Sequence, residues 1–321
     1  MCEDKQIQQQ HQRTMNKVRS IWKSFTALEQ SEGVGAKVRR AIGTMQLRNF
    51  TPFLMLDHFT VAPPAGFPDH PHHGQETITY VLGGMIAHED FTGSHGVLRK
   101  GDLQFMTAGK GIVHSEIPVK LDSNEPAVGL QLWVDLPAHL KNCEPRYRDL
   151  RQSETPVARP HDNLEVRVIS GNSYGVESLH ELAYTPVSFY HFITSSAGTS
   201  FTQAFPDNFN SFMYVLKGAV KVNGKVFPQY SSIFFKADGS HVEGVSASDN
   251  AEFALIGGEI LDQPVVQYGP FVETSREKIL EVFDNYQSGL NGFENAPGWS
   301  SSISHGIAED RVADFEEVAD H

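Results

Sequence analysis

The sequence predicts an all-β protein built as two related barrels in succession, and three observations predict it. Short β-branched and aromatic runs recur along the chain, each closed by a Gly- or Pro-bearing turn, the pattern of a sandwich or barrel. One group of these runs is repeated in the second half, which indicates two domains of one design. Helical period is clear only late, in Glu277-Lys278-Ile279-Leu280-Glu281-Val282-Phe283, with Ser275 placed as its N-cap.

The elements follow in order. Residues 1–16 are polar and Gln-rich (Gln6, Gln8, Gln9, Gln10) and are expected to be a disordered tail. Thr77 to Leu82 reads as a strand that stops at Gly83-Gly84, and Leu130 to Val134 alternates apolar and polar residues. Leu164 to Ile169 alternates likewise, and Phe212 to Leu216 stops at Lys217-Gly218. In the repeat, Tyr80-Val81-Leu82-Gly83-Gly84 answers to Tyr214-Val215-Leu216-Lys217-Gly218. Asp102 to Met106 answers more loosely to Ser231 to Phe235, and a histidine follows in each copy, His114 and His241. Between the copies, Glu144 to Pro160 is charged and carries three prolines. The expected organisation is a tail over 1–16, a barrel over 17–145, a linker over 146–160, a second barrel over 161–272, a helical segment over 273–303 and an acidic tail over 304–321.

Composition narrows the function. The 321 residues hold 26 Lys and Arg against 39 Asp and Glu, a formal charge of −13. That disfavours a broad nucleic-acid surface, which needs clustered cations. Two cysteines, Cys2 and Cys143, make no disulfide framework and fit a reducing compartment. No signal-peptide pattern and no run of about 18 apolar residues is present, so a soluble intracellular chain is expected.

Six of the 15 histidines fall between positions 70 and 114. Residues i and i+2 of a strand point to one face, so His70 and His72 can present both imidazoles to one centre. His114 and Glu116 stand in the same relation. Two such pairs on facing strands of a barrel supply three nitrogens and a carboxylate. Lacking thiolate, the set does not read as a cysteine-rich structural zinc site. It suits Fe(II), and also Ni, Cu, Mn or Co, and leaves an octahedral ion two open positions. On sequence alone Glu76, four residues past His72, competes with Glu116. His73 points away from His72 in a regular strand, and His88 and His95 read as turn or surface residues. In the second copy Ala204, Pro206 and Asn210 stand where His70, His72 and Glu76 do, leaving only His241, so that barrel is expected to be metal-free.

These residues resemble the pirins, a family of the cupin superfamily, from about Leu28 to Ile303. The resemblance is carried by Gln30 to Arg40, Pro52-Phe53-Leu54-Met55-Leu56-Asp57, Gly66-Phe67-Pro68-Asp69-His70-Pro71-His72, Ala87-His88-Glu89-Asp90-Phe91 and Gly101 to Glu116. Gly269-Pro270-Phe271-Val272 and Asn291-Gly292-Phe293-Glu294 resemble the family's C-terminal end. The resemblance implies two antiparallel jelly-roll-type cupin barrels packed face to face, one Fe(II) in the N-terminal barrel, and a monomer. It places the ligands on His70, His72, His114 and Glu116, and so decides against Glu76. It also implies quercetin dioxygenase activity in some members, and nuclear or cytoplasmic co-regulation of transcription in others. The chain departs from the family pattern at His73 (usually Arg), Gln75 (usually aromatic), Phe105 (commonly Trp) and Lys110 (commonly Arg). His73 and Gln75 are expected to alter the rim of the pocket.

Two functions compete. The first is a dioxygenase acting on a flavonol and dioxygen, with Glu116 as the catalytic base for the 3-hydroxyl and Phe53, Phe67, Phe105 and Met106 as candidate pocket liners, though each taken singly reads more readily as plain core. The second is an iron-containing, redox-sensitive co-regulator with a transcription-factor partner, for which Lys37, Arg39 and Arg40 offer a small basic patch. A switch of that kind needs different partner affinities in its two redox states.

Overall fold

Alternating and β-branched segments become strands along nearly the whole chain. The computed structural model describes residues 17–33, 35–180 and 182–317, and these divide into two compact β units. The tail expected over 1–16, with Cys2, lies outside the described residues. Among the described residues no helix is long and apolar enough to cross a membrane.

Among the described residues, one unit comprises 17–28, 155–180 and 186–260. Its first strand, β1 (Ile21–Thr26), was expected in the other barrel by its position in sequence. It pairs instead with Ser231–Phe235, at the edge of a seven-stranded antiparallel sheet. Arg19 shows why. Its fully buried guanidinium donates to the carbonyl oxygens of Gly239, Phe209 and Pro206 and to Ser211 Oγ at 2.6–3.1 Å. Phe25 stacks on Phe234 at 5.6 Å. A four-stranded sheet completes the unit. Its interior is a dense apolar cluster that includes Phe192, Phe201, Phe205, Met213 and Phe253.

The other unit comprises residues 29–154, 182–185 and 261 onward. Its strands are β2 (Glu29–Glu32), β3 (Ala36–Ile42), β4 (Phe53–Val61), β5 (Phe67–His72), β6 (Gln75–Gly83), β7 (Met85–Asp90), β8 (His95–Arg99), β9 (Leu103–Thr107), β10 (Ile112–Lys120), β11 (Ala127–Asp135) and β12 (Arg146–Leu150). One sheet runs β12-β9-β6-β11-β4-β3-β2, and the other is built on β10, which pairs with β5 and β7, with β8 beyond β7. The expected linker over 146–160 is not a free connection. β12 closes the edge of the first sheet against β9, and Val157–His161 pairs with Leu164–Ser170 in the other unit. Both sheets thereby cover edges that would leave backbone groups unpaired.

The expected helix is Arg276–Ser288. Ser275 Oγ accepts the Lys278 N–H, and Gly289 ends the helix in the left-handed region, φ 64°. Ile279 and Val282 bury against Phe271, Phe293, Met106 and Ile112. The segment read as an acidic tail over 304–321 is structured through its described part. Ile307-Ala308 pairs with the end of β10, and Val312–Glu317 is a short helix. Ile303, Ile307 and Val312 bury against Ala87, Val97, Ile117 and Val119, while Arg99 grips Glu316 through two 2.8 Å hydrogen bonds. Ile307 and Val312, with Phe315 packed beside them, anchor the segment from among its acids, a pattern its charge concealed.

Candidate metal centre

Two short stretches of sequence build the site. In β5, His70 and His72 share a face. In β10, His114 and Glu116 do. The two pairs lie on adjacent, hydrogen-bonded strands, not on facing ones, with His114 directly opposite His70. The register shifts between His114 and Glu116, so Glu116 stands opposite Phe67. A bulge of this kind re-aims a side chain. Gly74 ends the ligand-bearing stretch at φ 70°, where an added Cβ would fall 2.0 Å from Val272 O, so only glycine fits there.

The three imidazoles converge: one ring nitrogen of each lies within 4.8 Å of the others. His70 Nε2 and His114 Nε2 are 3.0 Å apart, and His72 Nε2 is buried with no hydrogen-bond partner. His70 Nδ1 faces Pro68 O at 2.8 Å, which makes it the N–H and leaves Nε2 a lone pair. Burial lowers all three pKa values, well below the ordinary range for His72 and His114, and the neighbouring imidazoles add to the effect at those two. Neutral imidazole is the form in which histidine binds a metal, and His70 turns its free lone pair toward the other two rings. The donor set therefore fits a divalent transition ion.

Glu116 stands just outside this group, with Oε2 4.0 Å from His114 Nε2. Burial pushes its carboxyl up to about 6, against the facing His88 and the polar side chains of Thr79 and Gln131. A carboxyl whose pKa is higher in the folded than in the unfolded chain keeps its proton longer in the fold. Between about pH 4.5 and 6 the metal-free fold binds more protons than the unfolded chain, so this group's contribution falls as pH rises through that window. The loss reaches about 2 kcal/mol above pH 6. Glu116→Gln is expected to make the metal-free protein more stable than wild type at pH 7 and not at pH 4. Urea unfolding of both proteins across this range measures it, and equal pH dependence in the two would disprove it.

The remaining histidines and acids fall as follows. Glu76, the competing carboxylate, accepts hydrogen bonds from Thr107 Oγ1 and from the backbone N–H groups of Tyr184 and Thr185. Its oxygens are engaged away from the imidazoles. His73 is buried, with Nδ1 at 2.9 Å from Lys110 O and Nε2 at 3.0 Å from Glu273 Oε1. Gln75 is fully buried as well. Its Nε2 donates to Pro270 O and lies 2.8 Å from His72 Nδ1. The expectation that these two residues alter the pocket rim is not met, since both are buried and neither lines the cavity. Both tie the stretch after His72 to residues 270–273. His88 is no surface residue: it is buried on β7 opposite Glu116, with Nε2 2.8 Å from Asp149 Oδ2. Its partner comes from 61 residues away, which no local pattern reveals. His95 opens β8, with its ring edge on Phe315.

A cavity of about 880 Å³ opens over the site. His70, Glu116, Gln131 and Trp133 line it together with Leu54, Met55, Phe59, Phe67 and Ile86. Of the four expected liners only Phe67 is among them. Phe53, Phe105 and Met106 are core residues, each no more than 3% exposed. Phe59 and Trp133 were missed, although the strand bearing Trp133 was recognisable: which face of β4 and β11 looks inward depends on the partner sheet.

With the geometry established, the chain can be compared with known proteins. The Pirin family matches residues 35–134, and the Pirin C-terminal cupin domain matches residues 190–292. Pirin of Homo sapiens is 41% identical over 297 residues, covering 91% of this chain and 100% of that protein. Among solved structures, quercetin 2,3-dioxygenase from Acinetobacter baumannii superposes with a TM-score of 0.78 at 24% identity, covering 85% of this chain and 98% of that one. The bacterial pirin YhhW from Escherichia coli, in complex with nickel(II), gives 0.59 at 21% identity, covering 74% and 99%. At these identities the two structures show a shared fold.

Proposed function

The chain belongs to the pirin family, and from that premise we propose that it is a metal-dependent dioxygenase of quercetin-like flavonols. In this reading one Fe(II) is held by His70, His72, His114 and Glu116. The observation that carries it is the convergence of three imidazoles, two buried and one half-buried, beside a carboxyl of raised pKa, with His70 and Glu116 opening onto a cavity with aromatic walls. Both cupin domains are present, and the family's structural neighbours include an enzyme named for this reaction.

A divalent iron held there supplies Lewis acidity and one-electron chemistry with dioxygen. The chain's own residues do the rest. Glu116, a carboxylate lining the cavity, receives the proton of the flavonol 3-hydroxyl. Phe59, Phe67 and Trp133 present flat apolar faces to a flat substrate, and Leu54 and Ile86 help exclude water. The basic residues that a co-regulator reading would draw on are engaged in ion pairs. Lys37 and Arg39 contact Glu29, and Arg40 contacts Asp57 and Glu32.

The test is metal analysis by plasma mass spectrometry on untagged protein, followed by oxygen uptake with quercetin. About one iron per chain and stoichiometric loss of oxygen and flavonol absorbance are expected. A fully metallated protein that leaves quercetin and related flavonols untouched would overturn the enzyme reading.

A further inference from the structure

Glu116 is held in place by two neutral side chains that the proposed chemistry does not use. Thr79 on β6 and Gln131 on β11 stand directly opposite each other in the sheet. Thr79 Oγ1 lies 2.6 Å from Gln131 Oε1 and 3.3 Å from Glu116 Oε1. A hydroxyl has one hydrogen, and the shorter contact takes it. That contact orients the Gln131 amide. With its oxygen on Thr79, its nitrogen must face Glu116, and Nε2 lies 3.1 Å from Oε2 and 3.5 Å from Oε1. The reverse orientation would place the NH₂ on the Thr79 hydroxyl and set the amide oxygen against a carboxylate, with no donor between them.

The oxygen that Gln131 holds most closely, Oε2, is the one 4.0 Å from His114 Nε2. Gln131 is also part of the cavity lining beside Glu116. We propose that Gln131, locked in orientation by Thr79, is a positioning residue that aims Glu116 Oε2 at the three-imidazole cluster. This rests on the metal reading above and deepens it. Partners of this kind fix the geometry of a metal-ligating carboxylate, and their loss typically costs about 10–100-fold in metal affinity. Thr79 has no effect of its own in this arrangement, because it acts through the Gln131 amide. The two residues are therefore expected to be non-additive.

The experiment uses metal-stripped full-length protein titrated anaerobically with iron(II), and separately with nickel(II), against a chromophoric chelator. Wild type is compared with Gln131→Met, close to Gln in length and volume, with Gln131→Leu, with Thr79→Val and with the double variant Thr79→Val/Gln131→Met. Thermal unfolding of the metal-free proteins checks that each is folded. Gln131→Met is expected to bind metal about 10–100-fold more weakly, Thr79→Val less severely weakened, and the double variant no weaker than Gln131→Met alone. Gln131→Met and Gln131→Leu binding as tightly as wild type would overturn the relay. So would a Thr79→Val effect that persists in full in the double variant. Wild-type protein that takes up neither metal would overturn the metal reading itself, a result distinct from either.

Discussion

His72→Ala is expected to keep its fold and lose its metal. The side chain is fully buried, and its Nε2 has no hydrogen-bond partner. In the metal-free protein its removal relieves the penalty at Nε2 but gives up the Gln75 contact at Nδ1 and leaves a small cavity, effects of opposite sign. Metal binding is another matter. Protein sites of three or four ligands bind divalent ions with about 10–16 kcal/mol in well-studied zinc cases. One ligand in four is then worth roughly 3 kcal/mol, a loss of about a hundredfold or more in affinity. Metal content by mass spectrometry should fall from about one per chain to near zero after dialysis, and oxygen uptake with quercetin should vanish with it. A variant that retains stoichiometric metal would place the ion elsewhere and remove the basis of the proposed site.

The second large effect concerns stability. Lys141 and Asp135 form an ion pair at 2.6 Å with both side chains 1% exposed. Lys141 Nζ also donates to Gly74 O at 2.9 Å and lies 3.3 Å from Val272 O. It fastens the turn after the histidine pair of β5 to the segment after β11 and to residues 270–273. Lys141→Met leaves the Asp135 carboxylate buried beside Gln263 alone, together with two carbonyl oxygens that have lost a donor. Breaking one side of a buried pair costs about 3–5 kcal/mol. In a unit of this size that lowers Tm by roughly 6–20 °C. Replacing both partners, Lys141→Met with Asp135→Leu, should recover part of the loss, because the uncompensated charge is gone. Calorimetry of the three variants measures it. A Lys141→Met protein that melts with wild type would show that the pair contributes nothing net.

The strand runs at 77–82, 130–134, 164–169 and 212–216 were readable because a half-buried strand writes its alternation into the chain locally. The helix from Arg276 was readable for the same reason, through its cap and period. The i, i+2 pairs of His70 with His72 and His114 with Glu116 needed only that rule. Where the reading went astray, the deciding contact was remote. β1 joins the unit of residues 155–260 through Arg19, whose acceptors lie about 190–220 residues away. His88 looked like a surface residue until Asp149 closed on it. Phe53, Phe105 and Met106 looked like pocket liners, because an aromatic or apolar residue reads the same in a core as in a cavity wall.

The sequence by itself determined that the chain is all-β, that its halves are related, and which side chains place nitrogen and carboxylate donors on one strand face. These properties follow from backbone geometry over two to six neighbouring residues. Only the tertiary structure decided that β5 and β10 are neighbours, that three imidazoles meet while the carboxylate stands 4.0 Å from His114, and that Thr79 and Gln131 hold that carboxylate there. Strand pairing and register join residues far apart in the chain. Their free energy comes from burying whole faces against one another, which no local stretch of sequence encodes.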